Sequence, residues 1–445
     1  MNRNKNRLDI VQQPGHKIRT FPEALLGVFG YLPFQTRYPF LTILCRVVCC
    51  SHVLCAAVSF VALGINGVAY MLHRSSHNAS SFVKFVAFIP VFTVYGRAFI
   101  VLLIFLSKQE EYHSLHRASL EIAASLLPDS DGLKRCCNGW RRNANRLGVA
   151  TIVFHTIWQL STVIGNLISA GINGPPKNNS TAVAQEDFEK KLRLIIPYGL
   201  VYMSQGFYVS LYGLSQQVVT LGIVFAMMLR FFIKANNDAI GKLQLAIQNN
   251  PNASTERSHE IDFPSTLKEH LIDHLEMIRR TQAVIRKFCA DLDAFFRNIG
   301  FACHMLDQAT VMGFVATVII SNHHDTNLPT WIYNCLSIIF FVGYSTILLL
   351  PLASVFDEAE STNLRAYELS VAVRRCFPDE PSDSQIHEIL QDIMSSSEQN
   401  SIVLQGAGFI NFTRPLFAGT VTFGLSFSVV AYEITQRSNN ISSCS

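Results

Sequence analysis

Two charges stand inside stretches that otherwise carry none. Arg97 interrupts "VFTVYGRAFIVLL" and Asp307 interrupts "GFACHMLDQATVMGF". In a bilayer, an unpaired charge near the centre of a helix costs about 2.5–3.5 kcal/mol on insertion scales, so each needs a partner or a wet cavity. Arg97 is about 15 residues from the outer end of its stretch and Asp307 about 14, which places them at similar height along two helices. A salt bridge inside the bundle is therefore expected, either as a purely structural pair or as one coupled to ligand and gating. In a rival reading the same pair, with nearby polar groups, holds the substrate of a secondary transporter. The internal repeats usual in such transporters are not evident in the sequence.

A second set of groups could recognise a small molecule. Tyr198, Tyr202 and Gln205 recur at i, i+4 and i+7, on one face of a helix. Trp158 and Gln159 lie near the middle of another apolar stretch, and Tyr333 and Asn334 open a third, next to Trp331. Aromatic walls with a few donors and acceptors make a small-molecule pocket. Together with Asp307 these residues form the expected ligand site, with plain packing as the alternative for Tyr202 and Gln205. Trp331 has the ordinary alternative of an aromatic at a membrane interface. Enzyme chemistry finds no support: the chain has no glycine-rich phosphate loop, no H-E-x-x-H and no Cys-x-x-Cys. His323, His324 and Asp325 in "SNHHDTN" read as a solvated loop and not as a metal site. Neither a cofactor nor a nucleic-acid partner is expected.

The elements that must position these groups are membrane helices. Of 445 residues, 49% are hydrophobic and only 15% charged, and 32 are Phe. Soluble domains carry about 25% charge, so the excess apolar surface needs lipid. Seven stretches reach the roughly 20 apolar residues that a span requires. They cover about 47–72, 82–106, 148–171, 194–231, 295–320, 331–355 and 415–434. The basic, polar start "MNRNKNRLDIVQQPGHKIRT" has no apolar core of a secretory signal. With seven spans, Lys and Arg divide 28 to 7 between the two faces, which puts the N-terminus in the cytoplasm and the C-terminus outside. Asn78, Asn178, Asn179 and Asn440 are glycosylation sequons on the outer face, while Asn252 and Asn411 fall inside as chance matches. Of the 11 cysteines, Cys45, Cys49, Cys50 and Cys55 crowd the first span, Cys136 and Cys137 are cytoplasmic and only Cys444 is clearly outside, which implies no disulfide framework.

Five regions follow from this layout. Residues 1–40 form a basic cytoplasmic lead, in which "FPEALLGVFGYLPF" is a short helix, and 41–351 hold spans one to six with the ligand pocket. Residues 352–414 form a cytoplasmic helical anchor, 415–434 the last span and 435–445 an outer tail. The run "KRCCNGWRR" faces the inner leaflet, as plain interfacial charge or as a specific lipid contact. The segment 230–293 reads as helix on both sides of the breaker "QNNPNASTERSHEIDFPS". Leu271, His274, Leu275, Ile278 and Thr281 there repeat at helical spacing into the fifth span. Residues 357–405 are again helical by period. Three spans therefore extend below the membrane and build a bundle there.

The end of the chain carries a resemblance. Inverted orientation, length and a signature in the last span are similar to the arthropod gustatory receptor family, within the insect chemoreceptor superfamily. That family carries Thr-Tyr-x5-Gln-Phe in its last span, after a glycine- and phenylalanine-rich approach ending in Arg. Here "GAGFINFTRP", with Gly408, Phe409, Thr413 and Arg414, precedes Ser426-Phe427-x5-Glu433-Ile434, a conservative replacement at each of the four positions. The chain resembles a divergent member. The resemblance implies a ligand-gated, non-selective cation channel in the plasma membrane of chemosensory neurons, a homotetramer or a heterotetramer with related receptors. A tastant would bind each outer pocket and four last spans would surround one pore. Thr420, Phe423, Phe427 and Ala431 would then line that pore, with Glu433 at its outer mouth. Rings of acids favour cations. Glu433 has the plainer alternative of a carboxylate reaching outer water.

Overall fold

The structure, a computed structural model, describes residues 20–32, 39–74, 81–127, 130–173, 198–249, 265–321, 328–376, 385–399 and 402–443. Among them the chain is helical except for one two-stranded hairpin. The elements run α1 (Phe21–Val28), α2 (Pro39–Arg74), α3 (Ser81–Ser107), α4 (Gln109–Leu126), α5 (Ser130–Asn173), α6 (Tyr198–Gln248), α7 (Ser265–Ser321), α8 (Leu328–Cys376), α9 (Gln385–Gln399), β1 (Gln405–Gly406), β2 (Ile410–Asn411) and α10 (Arg414–Ser443). The described residues of all seven apolar stretches lie on long helices. Among the described residues, α2, α3, α6, α7 and α8 contain segments long and apolar enough to cross a membrane.

α6, α7 and α8 are 51, 57 and 49 residues long. At 1.5 Å per residue each is more than twice the length that about 30 Å of hydrocarbon requires. Their upper parts, toward Ser321 and Leu328, pack with α3 and α5 around the main core. Their lower parts join α9 around a second, separate core. The change along α8 falls near Pro351, which removes one hydrogen bond of the helical ladder. α3 and α7 approach closely: a Cβ on Gly313 would stand 2.6 Å from the Pro90 ring, so only glycine fits there.

The second core follows the helical period at Leu271, Leu275 and Ile278, while His274 is exposed and Thr281 lies outside the core. Leu271, Leu275 and Ile278 of α7 meet Ile240 of α6, Leu369 and Val373 of α8, and Ile386, Ile389, Leu390 and Ile393 of α9. Charged pairs rim it. Arg279 reaches Asp392 at 2.9 Å and Glu276 at 2.8 Å, and Arg280 reaches Glu276 at 2.9 Å. Between the second and third apolar stretches the described residues form α4 and the first turns of α5. The run "KRCCNGWRR" therefore sits on helix. α1 is closed by a capping box between Thr20 and Glu23. It docks through Phe21 N–H donating to Asn145 Oδ1 at 2.7 Å and through Tyr112 Oη donating to Glu23.

One element has no counterpart in the helical pattern. Residues 402–413, between α9 and the last helix, form the β1–β2 hairpin, with Gln405 opposite Asn411. Its turn passes through the left-handed region at Ala407 (φ 52°) and Gly408 (φ 82°). The second of these positions is one that glycine occupies without strain. α10 then continues to Ser443, past the expected boundary at 434, because no breaker intervenes.

Candidate functional site: an ion pair against an aromatic shelf

The most buried polar cluster of the upper bundle starts from Arg97 on α3. Its side chain is fully enclosed, as is that of Asp307 on α7, and Arg97 Nε lies 2.7 Å from Asp307 Oδ1. The N–H is not aligned along this contact, so the pair is held by charge and not by a straight hydrogen bond. The other guanidinium nitrogens donate at 3.4 Å to Ser215 Oγ and to Gln216 Oε1 of α6. Tyr212 of α6 and Tyr344 of α8 flank the cation, each ring centroid 5.2 Å from the guanidinium carbon. Cation–π contacts of this kind gain strength where water is excluded. Four helices thus converge on one charge. One turn along, Thr93 and Thr310 hydroxyls meet at 2.7 Å and fasten α3 to α7 beside the pair.

From Tyr212 an aromatic shelf leads toward the Ser321 and Leu328 end. Tyr212 stacks on His155 with centroids 4.9 Å apart and lies 6.1 Å from Trp158. Trp158 stacks on Phe340 at 5.1 Å and donates its indole N–H to Ser337 Oγ at 3.0 Å. Phe341 stacks on Phe314, whose edge meets Tyr333 at 6.0 Å. Gln159 Nε2, Asn334 Nδ2, Gln216 Nε2 and Tyr344 Oη are buried with no hydrogen-bond partner among the described residues. Aromatic faces and unused donors in the same half of the bundle are the groups that stack a small organic molecule and hold one or two of its oxygens.

Of the expected ligand residues, the structure brings Trp158 and Tyr333 to this shelf, Asn334 is buried beside Tyr333 in sequence, and Asp307 lies at the base of the shelf beside Arg97. Gln159 follows Trp158 on α5. Tyr198, Tyr202 and Gln205 are on the first turns of α6, their side chains outside the described residues. Tyr212 and Tyr344 were not among the expected residues. Tyr212 had a signal, since it continues the Tyr198, Tyr202, Gln205 face by another seven residues. Tyr344 had none, because its role comes from a helix remote in sequence.

On α10, Thr420 is half-buried and its hydroxyl donates to Leu416 O at 2.9 Å. Phe423 is 61% exposed, Phe427 half-buried and Glu433 exposed, whereas the side chain of Ala431 is outside the described residues. The base of α10 is held firmly. Gln405 N–H donates to Asp293 Oδ1 at 2.6 Å, Ala407 N–H to Arg297 O at 3.3 Å, and Arg414 pairs with Asp357 at 2.8 Å. Phe412 is buried against Gly300. The hairpin therefore anchors the start of α10 to α7 and α8. Asn440 lies near the end of α10, while Asn78, Asn178, Asn179 and the loop His323, His324 and Asp325 are outside the described residues.

No family model and no curated protein sequence matches the chain. Solved structures do. The insect olfactory receptor OR5 from Machilis hrabei superposes with a TM-score of 0.59 at 11% identity, over 96% of this chain and 100% of that one. The same receptor in complex with eugenol gives 0.57 at 12% identity, over 93% and 97%. From end to end, the chain shares the fold of an insect olfactory receptor.

Proposed function

We propose that the chain is a subunit of a ligand-gated cation channel of chemosensory cells, opened by a small organic molecule held on the aromatic shelf. The observation that carries this reading is the likeness to an insect olfactory receptor over 96% of this chain and 100% of that one. Two features of the chain fit it. The upper bundle holds both stacked aromatic rings and buried donors with no partner among the described residues. The last helix shows Phe423, Val429, Val430 and Tyr432 to its surroundings, although its base is tightly held.

In the finer reading, seven spans place the N-terminus in the cytoplasm and the C-terminus outside. Four copies of α10 surround one pore lined by Thr420, Phe423, Phe427 and Ala431. Glu433 repeats at the outer mouth, and the lower bundle is where subunits meet. The signature Ser426-Phe427-x5-Glu433-Ile434 favours taste over smell as the sense served. Outer glycosylation falls on Asn78, Asn178, Asn179 and Asn440.

The test is a panel of small organic compounds applied to cells expressing the chain, followed by excised-patch recording without nucleotide. Agonist-evoked current supports the channel. Substrate uptake without such current would return the Arg97 and Asp307 pair to a transporter. Within the channel, Glu433→Gln lowers calcium permeability relative to sodium while surface expression stays intact, and an unchanged ratio removes Glu433 from the pore mouth.

A further inference from the structure

Where α6, α7 and α8 pass from the upper core to the lower one, they part around a cavity of ≈ 190 Å³. Its polar lining comes from three helices: Asn236 of α6, Gln282 and Arg286 of α7, and Glu360 and Asn363 of α8. Gln282 and Arg286 are one turn apart, so both project the same way. Gln282 is only 6% exposed, yet neither its Nε2 nor its Oε1 has a partner among the described residues. The Oδ1 of Asn363 is likewise buried and unmatched. Asn237, one residue from Asn236, donates its amide nitrogen to Glu358 and Ser361 across the helix interface and is left with only its Oδ1 unmatched. Arg286 is half-buried, with no carboxylate within ion-pair distance among the described residues, and burial pushes its guanidinium below the usual value.

The polar groups that line the cavity sort by chemistry. Arg286 and Gln282 Nε2 are donors suited to anionic oxygens, while Glu360, Asn363 Oδ1 and Gln282 Oε1 are acceptors suited to an ammonium. We propose that this cavity is a binding site for a small zwitterion, its anionic oxygens on Arg286 and Gln282 and its primary ammonium on Glu360 and Asn363. The headgroup of an aminophospholipid and a free phosphoamine or amino acid share that chemistry. The cavity lies where the helices leave their apolar stretches, within reach of either. Ile402 also lines it, three residues before the hairpin that leads into α10. An occupant therefore touches the chain that enters the last helix.

The experiment uses the full-length protein in phosphatidylcholine nanodiscs, whose quaternary ammonium has no N–H to donate. In one arm soluble O-phosphoethanolamine is titrated; in the other, phosphatidylethanolamine replaces part of the lipid. Unfolding temperature is read in both, with phosphocholine as the control. A rise of about 2 °C in either arm is expected, the soluble arm identifying a free ligand and the lipid arm a headgroup. Loss of one charged partner weakens the apparent affinity roughly tenfold or more, in Arg286→Gln and in Glu360→Gln. Glu360 is exposed, so the second variant keeps its fold and the test stands if the first does not. No rise in either arm, an equal rise with phosphocholine, or an unchanged response in both variants overturns the proposal and leaves a hydrated cavity only. No current is recorded, so failure of the channel reading leaves this result untouched.

Discussion

The upper and lower halves of the bundle place their charges in opposite ways. In the upper half the interior holds Arg97 and Asp307, with Ser215, Gln216, Thr93 and Thr310 around them, and apolar side chains such as Ile339 and Leu350 point outward. In the lower half the interior is Ile240, Leu275, Ile278, Leu369 and Ile393, and Arg279, Glu276 and Asp392 ring the outside. The same three helices build both. In the proposed membrane placement, what changes is the surrounding medium. Lipid tails are as apolar as leucine, so apolar burial does little to hold helices together there, and close packing and polar contacts must do so. Water below the membrane restores the hydrophobic drive, and exposed pairs become nearly neutral.

That contrast can be broken most forcefully at Arg97. Arg97→Met leaves Asp307 buried without its partner and destabilises the fold by about 3–5 kcal/mol. Expression of folded protein at the surface falls accordingly. Arg97→Met with Asp307→Leu removes both charges and recovers most of the loss, since a buried pair is near break-even against well-packed apolar residues. A double variant that folds but gives no current would show the pair acting in gating as well as in packing.

In the lower half the large effect comes from deleting methyl groups. Leu275→Ala costs about 2–5 kcal/mol, read as faster amide exchange in α9 and the lower turns of α7 while α3 keeps its protection. Trp158→Phe keeps the stacking but gives up the bond to Ser337, a loss of about 0.5–1.5 kcal/mol, visible as a small drop in thermal stability. The rim gives the smallest response. The side-chain hydrogen bond from Arg279, followed by that from Arg280, holds the Glu276 carboxyl below its ordinary value of 4.5. Its contribution is therefore complete above that ordinary value and fades as pH falls through the lower folded one. It is slight, because water and salt screen the pair. Glu276→Gln removes this shallow acid slope from the unfolding temperature, and added salt does the same to the native protein.

Several of these features were legible in the sequence and others were not, for physical reasons. Arg97 and Asp307 could be matched because charges in an apolar run are rare and their depth can be counted. The lower core was legible on α7, where Leu271, Leu275 and Ile278 keep a helical period. The hairpin at 405–411 was not, since two-residue strands leave no alternation to detect. It is defined by long-range partners, Asp293 and Arg297, about 110 residues away. Tyr344 and Phe341 were hidden in the same way. A residue on α8 reads as lipid-facing or core-facing only once its neighbours on α5 and α6 are known.

The ion pair also has a consequence in time. Arg97 enters the membrane about 210 residues before Asp307 is made. At roughly 5–20 residues per second of synthesis, the cation waits about 10–40 s for its counter-ion. Gln216, its nearer partner in sequence, arrives 119 residues after it and offers a carbonyl oxygen first. The half-made chain is therefore at its most vulnerable between its second and fifth apolar stretches. Slowing the ribosome there would expose the nascent protein to quality control without altering a single contact of the finished fold.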